Sequence, residues 1–332
     1  MTATLKDVAE RAGVSRSAVS RTFTPGASVS AKMRARVEAA ADALGYRPNF
    51  LARSLTTRRT RMIGLVSNNF HNPIFLEVFD LFTRGLQERG FRPLLVNLTD
   101  ETEPEHSVQL LQQYSVDGVI VASSTLPGTF AAAFRDAGLP IVHSFGRHTH
   151  RPKTHVVGID NADCGRLAAH TLLARGYRQI GFLGGPEAAT STQDRLAGFQ
   201  EGLAGKPGVT LSHSFAAAYS FQAGRAEMTR LLADNPKEAY FCGDDVLSIG
   251  ALSAIQSAGL AVPQDIGLIG LNDMEMAGWE NINLTTIRQP IAQIIEGSID
   301  LLVKLLDAPD HPLTVRLFEC ELIERGSLRP VI

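Results

Sequence analysis

Apolar side chains recur at three- and four-residue spacing through the first 45 residues, then from Met62 onward gather into short Val- and Ile-rich runs separated by longer amphipathic stretches. In the first part, Leu5, Val8, Ala9 and Ala12 share one face of a helix predicted over 5–12, opened by the capping-box pair Thr4 and Asp7 and closed by Gly13. Ser15 caps a second helix from Arg16 to about Phe23, with Val19 turned inward. Pro25 and Gly26 end it, and Ser30 caps a third whose buried face is Met33, Val37, Ala40, Ala41 and Leu44, up to Gly45. Three short helices with a tight turn after the first make a helix-turn-helix head, in which the second helix presents its N-terminal residues to base edges. Arg16, Ser17 and Ala18 hold those positions, and Arg21 stands one turn further on. Arginine can read guanine bidentately, serine accepts several bases, and alanine fits against a thymine methyl. A small structural bundle is the plainer alternative for the same periodicity.

The segment YRPNFLARSLTTRRTR, residues 46–61, is too short to be a stable isolated helix, yet Leu51 and Leu55 lie four apart with no core of their own to enter. Such a segment suits folding on DNA, with a leucine wedged into a minor-groove step while Arg53, Arg58 and Arg59 meet phosphates. An ordinary basic linker is the alternative.

From Met62 the runs MIGLVS, PLLVN, DGVIVAS and PIVHS alternate with helical stretches at 73–89, 104–114 and 127–137. The alternation resumes after HVVGID: helix 161–175, strand QIGFLGG, helix 193–204, an apolar segment near 215–219, helix 221–233, strand AYFCG, helix 245–258 and strand DIGLIGL. Two doubly wound α/β halves, each with a largely parallel sheet covered on both sides, are the expected architecture. Strand LTTI, helix 290–306 and short final strands would then cross back between the halves. Ligands of such sheets bind outside the carboxyl ends of the strands, so two facing halves define a cleft there.

Composition changes the picture at one point. With 44% hydrophobic and 20% charged residues in 332, the chain is an ordinary globular one, which excludes disordered, collagen-like and coiled-coil classes. The net charge of −2, however, conceals two parts. The first 61 residues hold 12 Lys and Arg against 4 Asp and Glu, and the remaining 271 hold 20 against 30. A basic head on an acidic body fits polyanion binding confined to the head. No apolar run is long enough to span a membrane and the N-terminus lacks a signal-peptide core, so a cytoplasmic location is expected. Cys164, Cys242 and Cys320 are far apart and odd in number, and are read as buried free thiols.

The strings TLKDVAERAGVSRSAVSRTF, SVSAKMRARVEAAADALGYRPN and LARSL resemble the lactose/galactose repressor (LacI/GalR) family of bacterial transcription regulators. The similarity continues through IGLV, NPIF, VDGVIVAS, GIDN, GPEAATSTQDRLAGF, FCGDD, GLNDM and LTTIRQP. It implies a head over 1–46, a hinge helix and linker over 47–61, and a periplasmic-binding-protein-like effector and dimerisation domain over 62–332. One subdomain would take about 62–158 and 289–317, the other about 159–287 and 319–332. The implied protein is a homodimeric repressor on a roughly palindromic double-stranded operator, with Leu55 of paired hinge helices in the central minor groove. Thr4, Arg16, Ser17, Ala18, Arg21, Asn49, Leu51, Ala52, Arg53, Leu55 and Arg58 are its candidate DNA contacts. Arg16 followed by Ser17 departs from the tyrosine-led pairs of well-known members, so the operator sequence does not carry over.

For the effector site the resemblance implies Asn69, Asn72, Ile74, Phe75, Ser124, Ser191, Arg195, Tyr219, Asp244, Asn272 and Asp273. Arg195 is the fixed cation, and carboxylate, amide and guanidinium groups of this kind pair with sugar hydroxyls in set directions. Phe75 and Tyr219 as core aromatics, and the serines and Asp273 as helix caps, are the plainer readings. A sugar or sugar derivative acting as inducer is expected, with a corepressor of the purine-repressor type as alternative, and less readily a sugar-binding protein without a DNA role. No enzymatic activity, cofactor or metal is expected. His143, His148, His150 and His155 have no helical ligand spacing, GFLGGPE lacks a phosphate-loop lysine, and no GxSxG elbow is present.

Overall fold

Local capping chemistry shapes the head. In the computed structural model, which describes residues 3–24, 26–47, 59–98 and 104–331, α1 spans Leu5–Ala12, α2 Arg16–Thr22 and α3 Ala31–Ala43. Thr4 and Asp7 form a reciprocal capping box, Gly13 takes the left-handed conformation that ends α1, and Ser15 and Ser30 cap α2 and α3. Val8, Ala9, Ala12, Val19, Val37, Ala40, Ala41 and Tyr46 close the core between them. Met33 and Leu44, expected on the buried face, are only partly buried against it. Asn49, Leu51, Ala52, Arg53, Leu55 and Arg58 lie outside the described residues.

The chain divides into two compact units, Met1–Thr60 and Arg61–Ile332. The second unit holds two six-stranded sheets. Its first half runs β1 (Met62–Ser67), α4 (Ile74–Glu88), β2 (Arg92–Asn97), α5 (Pro104–Gln113), β3 (Gly118–Ala122), α6 (Gly128–Asp136), β4 (Ile141–Ser144) and β5 (His155–Ile159). The second half runs α7 (Asn161–Ala174), β6 (Gln179–Gly184), α8 (Thr190–Leu203), β7 (Thr210–Phe215), α9 (Phe221–Asp234), β8 (Ala239–Cys242), α10 (Asp245–Ser257), β9 (Gly267–Asn272) and β10 (Thr286–Arg288). Then α11 (Ile291–Asp307) packs on the first sheet, where its Ser298 hydroxyl meets that of Ser144 at 2.9 Å. β11 (Val315–Phe318) joins the edge of that sheet and β12 (Glu321–Ile323) the edge of the other. The orders are β11-β5-β4-β3-β1-β2 and β12-β10-β9-β8-β6-β7, parallel except for the β10–β12 pair. Three crossovers therefore join the halves: at Asp160, at Gln289 and Pro290, and at Glu319 and Cys320. Among the described residues no helix is long and apolar enough to cross a membrane.

Two elements differ from the sequence expectation. The strand expected near 215–219 is Thr210–Phe215. It is the edge strand beside β6, buried at few positions, so its sequence TLSHSF lacks the apolar run of an inner strand. Helix α8 begins at Thr190, three residues earlier than expected. No side chain of its own caps it; the Ser191 amide donates instead to the Ser124 carbonyl at 3.2 Å, and the Thr190 hydroxyl to the same oxygen at 3.0 Å. The first turn is satisfied by the other half of the unit, which local sequence does not display.

Helices α7 and α8 approach along a glycine seam. A Cβ on Gly198 would lie 1.9 Å from the Ala162 carbonyl oxygen, and one on Gly165 2.2 Å from that of Arg195. Both are backbone contacts, which cannot yield as a flexible side chain would. Gly198→Ala is therefore expected to destabilise the second unit by about 1–3 kcal/mol or more. Urea unfolding followed by circular dichroism measures it, and an unchanged midpoint would contradict the seam.

Candidate functional site

In the head, α2 exposes Arg16, Ser17, Ser20 and Arg21, with Ala18 half-buried between them. Neither Arg16 nor Arg21 has an ion-pair partner among the described residues, so both guanidiniums are free for an anionic or hydrogen-bonding ligand. The Ser17 hydroxyl lies 2.9 Å from that of the cap residue Ser15, which holds it at the N-terminal end of the helix. Arg34 and Arg36 donate to the carbonyls of Thr22 and Gly13, bracing α3 against the turn. Thr4 is occupied as the α1 cap.

In the second unit the carboxyl ends of both sheets face each other across a narrow cavity with about 30 Å³ of free volume. Nine of the eleven sequence candidates line it: Asn69, Asn72, Ile74, Phe75, Ser124, Arg195, Tyr219, Asp244 and Asn272. Val78, Phe145, Gln289 and Ile291 complete the wall. Sequence reasoning passed over Phe145 and Gln289, although both immediately follow strand ends, β4 and β10, which was the signal available.

Asp244 is the node of the site. It is fully buried at the N-terminus of α10, where one oxygen accepts the Val246 amide at 2.9 Å. Its other oxygen accepts the side-chain amides of Asn72 and Asn272, each at 2.8 Å. Asn72 follows β1 and Asn272 ends β9, so this carboxylate joins the two halves. Burial pushes its pKa up, while the three donors and the nearby Arg195 oppose the rise. Arg195 is buried too, its Nε donating to Asn161 at 2.8 Å and Nη1 to the Gly243 carbonyl at 2.5 Å. Among the described residues Nη2 has no hydrogen-bond partner, leaving two donors for an occupant of the cavity. The Gln289 amide donates to Asn272 at 2.5 Å, linking the second crossover to the same network.

Apolar walls surround these groups. Phe75 meets Phe145 and Phe79 at centroid distances of 6.5 and 5.8 Å, tilted by 59° and 54°. The Tyr219 ring lies over Gly185, with its hydroxyl 2.7 Å from that of Thr192 and 3.3 Å from that of Ser191. Ser191 thus supports Tyr219 and does not itself line the cavity. Asp273 is not brought to the cavity either: Arg288 and Arg325 clamp its carboxylate at 2.7 and 2.6 Å. Its left-handed φ of 56°, after 126° at Asn272, turns the chain at the end of β9 and aims the two side chains differently.

An ion pair also spans the cleft. Arg147, in the loop after β4, donates to both Asp194 oxygens on α8 at 2.5 and 2.8 Å, and to the Thr190 carbonyl at 3.3 Å. Asp194 precedes Arg195, so this clamp holds the helix that presents the cavity's cation.

Comparison with known proteins agrees with this architecture. Residues 4–49 match the family described as bacterial regulatory proteins, lacI family, and residues 169–328 match the periplasmic binding protein-like domain. The HTH-type transcriptional repressor PurR of Pectobacterium carotovorum is 31% identical over 332 residues, covering 98% of this chain and 97% of that one. The chain belongs to the LacI family. PurR of Escherichia coli is similar to the same degree, 31% over 333 residues with 98% and 97% covered. Among solved structures, the lac repressor dimer bound to operator and the anti-inducer ONPF has a TM-score of 0.89 at 26% identity, covering 99% of this chain and all of that one. The complex of the regulator CelR with cellobiose has 0.73 at 29%, covering 98% and 99%. As a LacI-family member the protein is a DNA-binding transcriptional repressor whose operator affinity is controlled by a small effector.

Beside Asp244, Asp245 carries a second fully buried carboxylate, which accepts the Thr286 hydroxyl at 2.6 Å and the Met274 amide at 2.8 Å. Burial, with the adjacent Asp244 adding to it, pushes its pKa up to about 7. A carboxyl raised on folding contributes stability that is complete below its unfolded value, near 3.8, and is lost as pH rises through 7. Wild-type stability should therefore fall between pH 5 and pH 8, as read from urea midpoints. Asp245→Asn should lower stability at pH 5 by about 1–3 kcal/mol, through the imperfectly met Met274 or Thr286 donor, and flatten the pH dependence. An equally steep decline in the variant would place the titration elsewhere.

Proposed function

We propose that this repressor is a homodimer that occupies a roughly palindromic operator and releases it when a neutral sugar or sugar derivative fills the cleft. The observation that carries the reading is the pairing of the Asp244 carboxylate with the two unused donors of Arg195 inside a cavity walled by Phe75, Phe145, Ile74 and Ile291. A carboxylate accepts from hydroxyls and a guanidinium donates to them, while tilted aromatic and aliphatic side chains cover the C–H faces of a sugar ring. A flat heterocycle is better served by parallel aromatic faces, and the Phe75 neighbours are tilted by more than 50°. The CelR complex with cellobiose supports the same chemistry. A second reading, a purine-type corepressor that promotes DNA binding, is favoured by the relatives that bear the PurR name.

On DNA, Arg16, Ser17, Ala18 and Arg21 read the major groove, while Thr4, Asn49, Ala52, Arg53 and Arg58 meet the backbone beside the hinge leucines Leu51 and Leu55. The protein acts in the cytoplasm and performs no catalysis.

The deciding experiment combines calorimetric titration with neutral mono- and disaccharides and with purine bases, and operator binding to duplexes from the DNA beside its own gene. A sugar that binds and releases the duplex is the expected result; a purine base that tightens the DNA complex would replace the sugar reading with the corepressor one. Asp244→Asn, which keeps the helix cap, should weaken sugar binding about 10- to 100-fold, or about 1.5–3 kcal/mol. Arg16→Ala should cost about 1–3 kcal/mol of selectivity at one base pair in each half-site and leave sugar affinity unchanged. Uniform weakening across all duplexes would instead make Arg16 a phosphate contact.

A further inference from the structure

The fold brings together two cysteines that are 156 positions apart, placing Cys164 Sγ 3.4 Å from Cys320 Sγ. Cys164 lies in the first turn of α7, directly after the first crossover, and Cys320 lies in the third crossover. A cavity of about 360 Å³ lined by Asp160, Asp163, Leu167, Phe318 and Glu319 opens onto both residues, giving small solutes a path to them. The Cys164 thiol donates to Cys320, which with the field of Arg195 holds the Cys320 thiol below its ordinary value. Cys242 differs in every respect: it is fully buried at the end of β8, and burial pushes its thiol up to about 12. Low-pKa, accessible thiols with a second thiol in reach are the ones that oxidants select.

We propose that Cys164 and Cys320 form a peroxide-responsive dithiol site whose disulfide ties the first crossover to the third. The Cys320 thiolate attacks one peroxide oxygen, the O–O bond breaks, and hydroxide leaves a sulfenic acid behind. Cys164 sulfur then attacks the sulfenyl sulfur, the S–S bond forms, and the S–O bond breaks. The departing oxygen takes the Cys164 proton and leaves as water, so two thiols and one peroxide give one disulfide and two waters. The bond would also restrain the cleft, because Gly165 beside Cys164 packs on the Arg195 carbonyl and α7 carries α8 along the glycine seam.

The test uses the reduced full-length protein treated with hydrogen peroxide, alkylated and peptide-mapped without reductant. Free thiols should fall from three to one, with Cys164 and Cys320 peptides linked, Cys242 alkylated, and dithiothreitol restoring all three. In Cys164→Ser, dimedone should trap the sulfenic acid on Cys320; in Cys320→Ser, both remaining thiols should survive the same treatment. Deuterium exchange over residues 159–166 and 317–323 should slow several-fold in the oxidised wild type and not in either variant. Retention of three thiols, linkage between Cys320 residues of two copies, or sulfinic acid at Cys320 with Cys164 still alkylatable would overturn the site. A linked pair with unchanged exchange would overturn the restraint. The Cys320→Ser change lies at a half-buried crossover position, so the decision stands even should Cys164→Ser fail to fold.

Discussion

A carboxylate removed from water must be met by donors from whatever surrounds it, and Asp244 is met from both sides of a cleft. Its three donors come from the loop after β1, the end of β9 and the first turn of α10, and the first of them, Asn72, is the part of its compensation that depends on the two sheets facing each other. The same group is the one carboxylate among the described residues that line the cavity. In the proposed reading an incoming hydroxyl would share or replace the Asn72 and Asn272 bonds, and by displacing Asn72 it would act on the contact that joins the halves. In that reading recognition and closure become one electrostatic problem, centred on a single buried charge.

The complementary cation is supplied by a different kind of constraint. Arg195 rides on α8, whose position is set by backbone contact with α7 at Gly165 and Gly198, by the Arg147–Asp194 pair and by the Ser124 carbonyl at its first turn. Two of these three supports come from the first half of the unit, although α8 belongs to the second. A helix held partly by the opposite subdomain responds to any change in the angle between them, and its side chain carries that change into the site. The third crossover touches the same region through Cys320, which explains why a covalent change there would reach the cavity.

Regulation by such a cleft is a coupling free energy, so operator and effector alter each other's affinity by the same factor whichever binds first. The charge division supports this arrangement. The basic residues that give salt-dependent affinity are concentrated in the head, and the acidic body has no comparable attraction to phosphate. Within the head, the small apolar core and the capping residues hold the exposed side chains of α2 in place.

Much was legible along the chain because it is local. Capping residues, helical spacing and alternating apolar runs located nearly every element, and the residues that follow strand ends named most of the cavity wall. What tertiary structure alone decided is what depends on distant partners: the start of α8 at a carbonyl from the other half, the edge position that lets β7 be polar, the capture of Asp273 by Arg288 and Arg325, and the approach of Cys164 to Cys320. Periodicity reports which face of an element is buried, but not against what, because the partner is chosen by the crossing of three separate strands and not by neighbours in sequence.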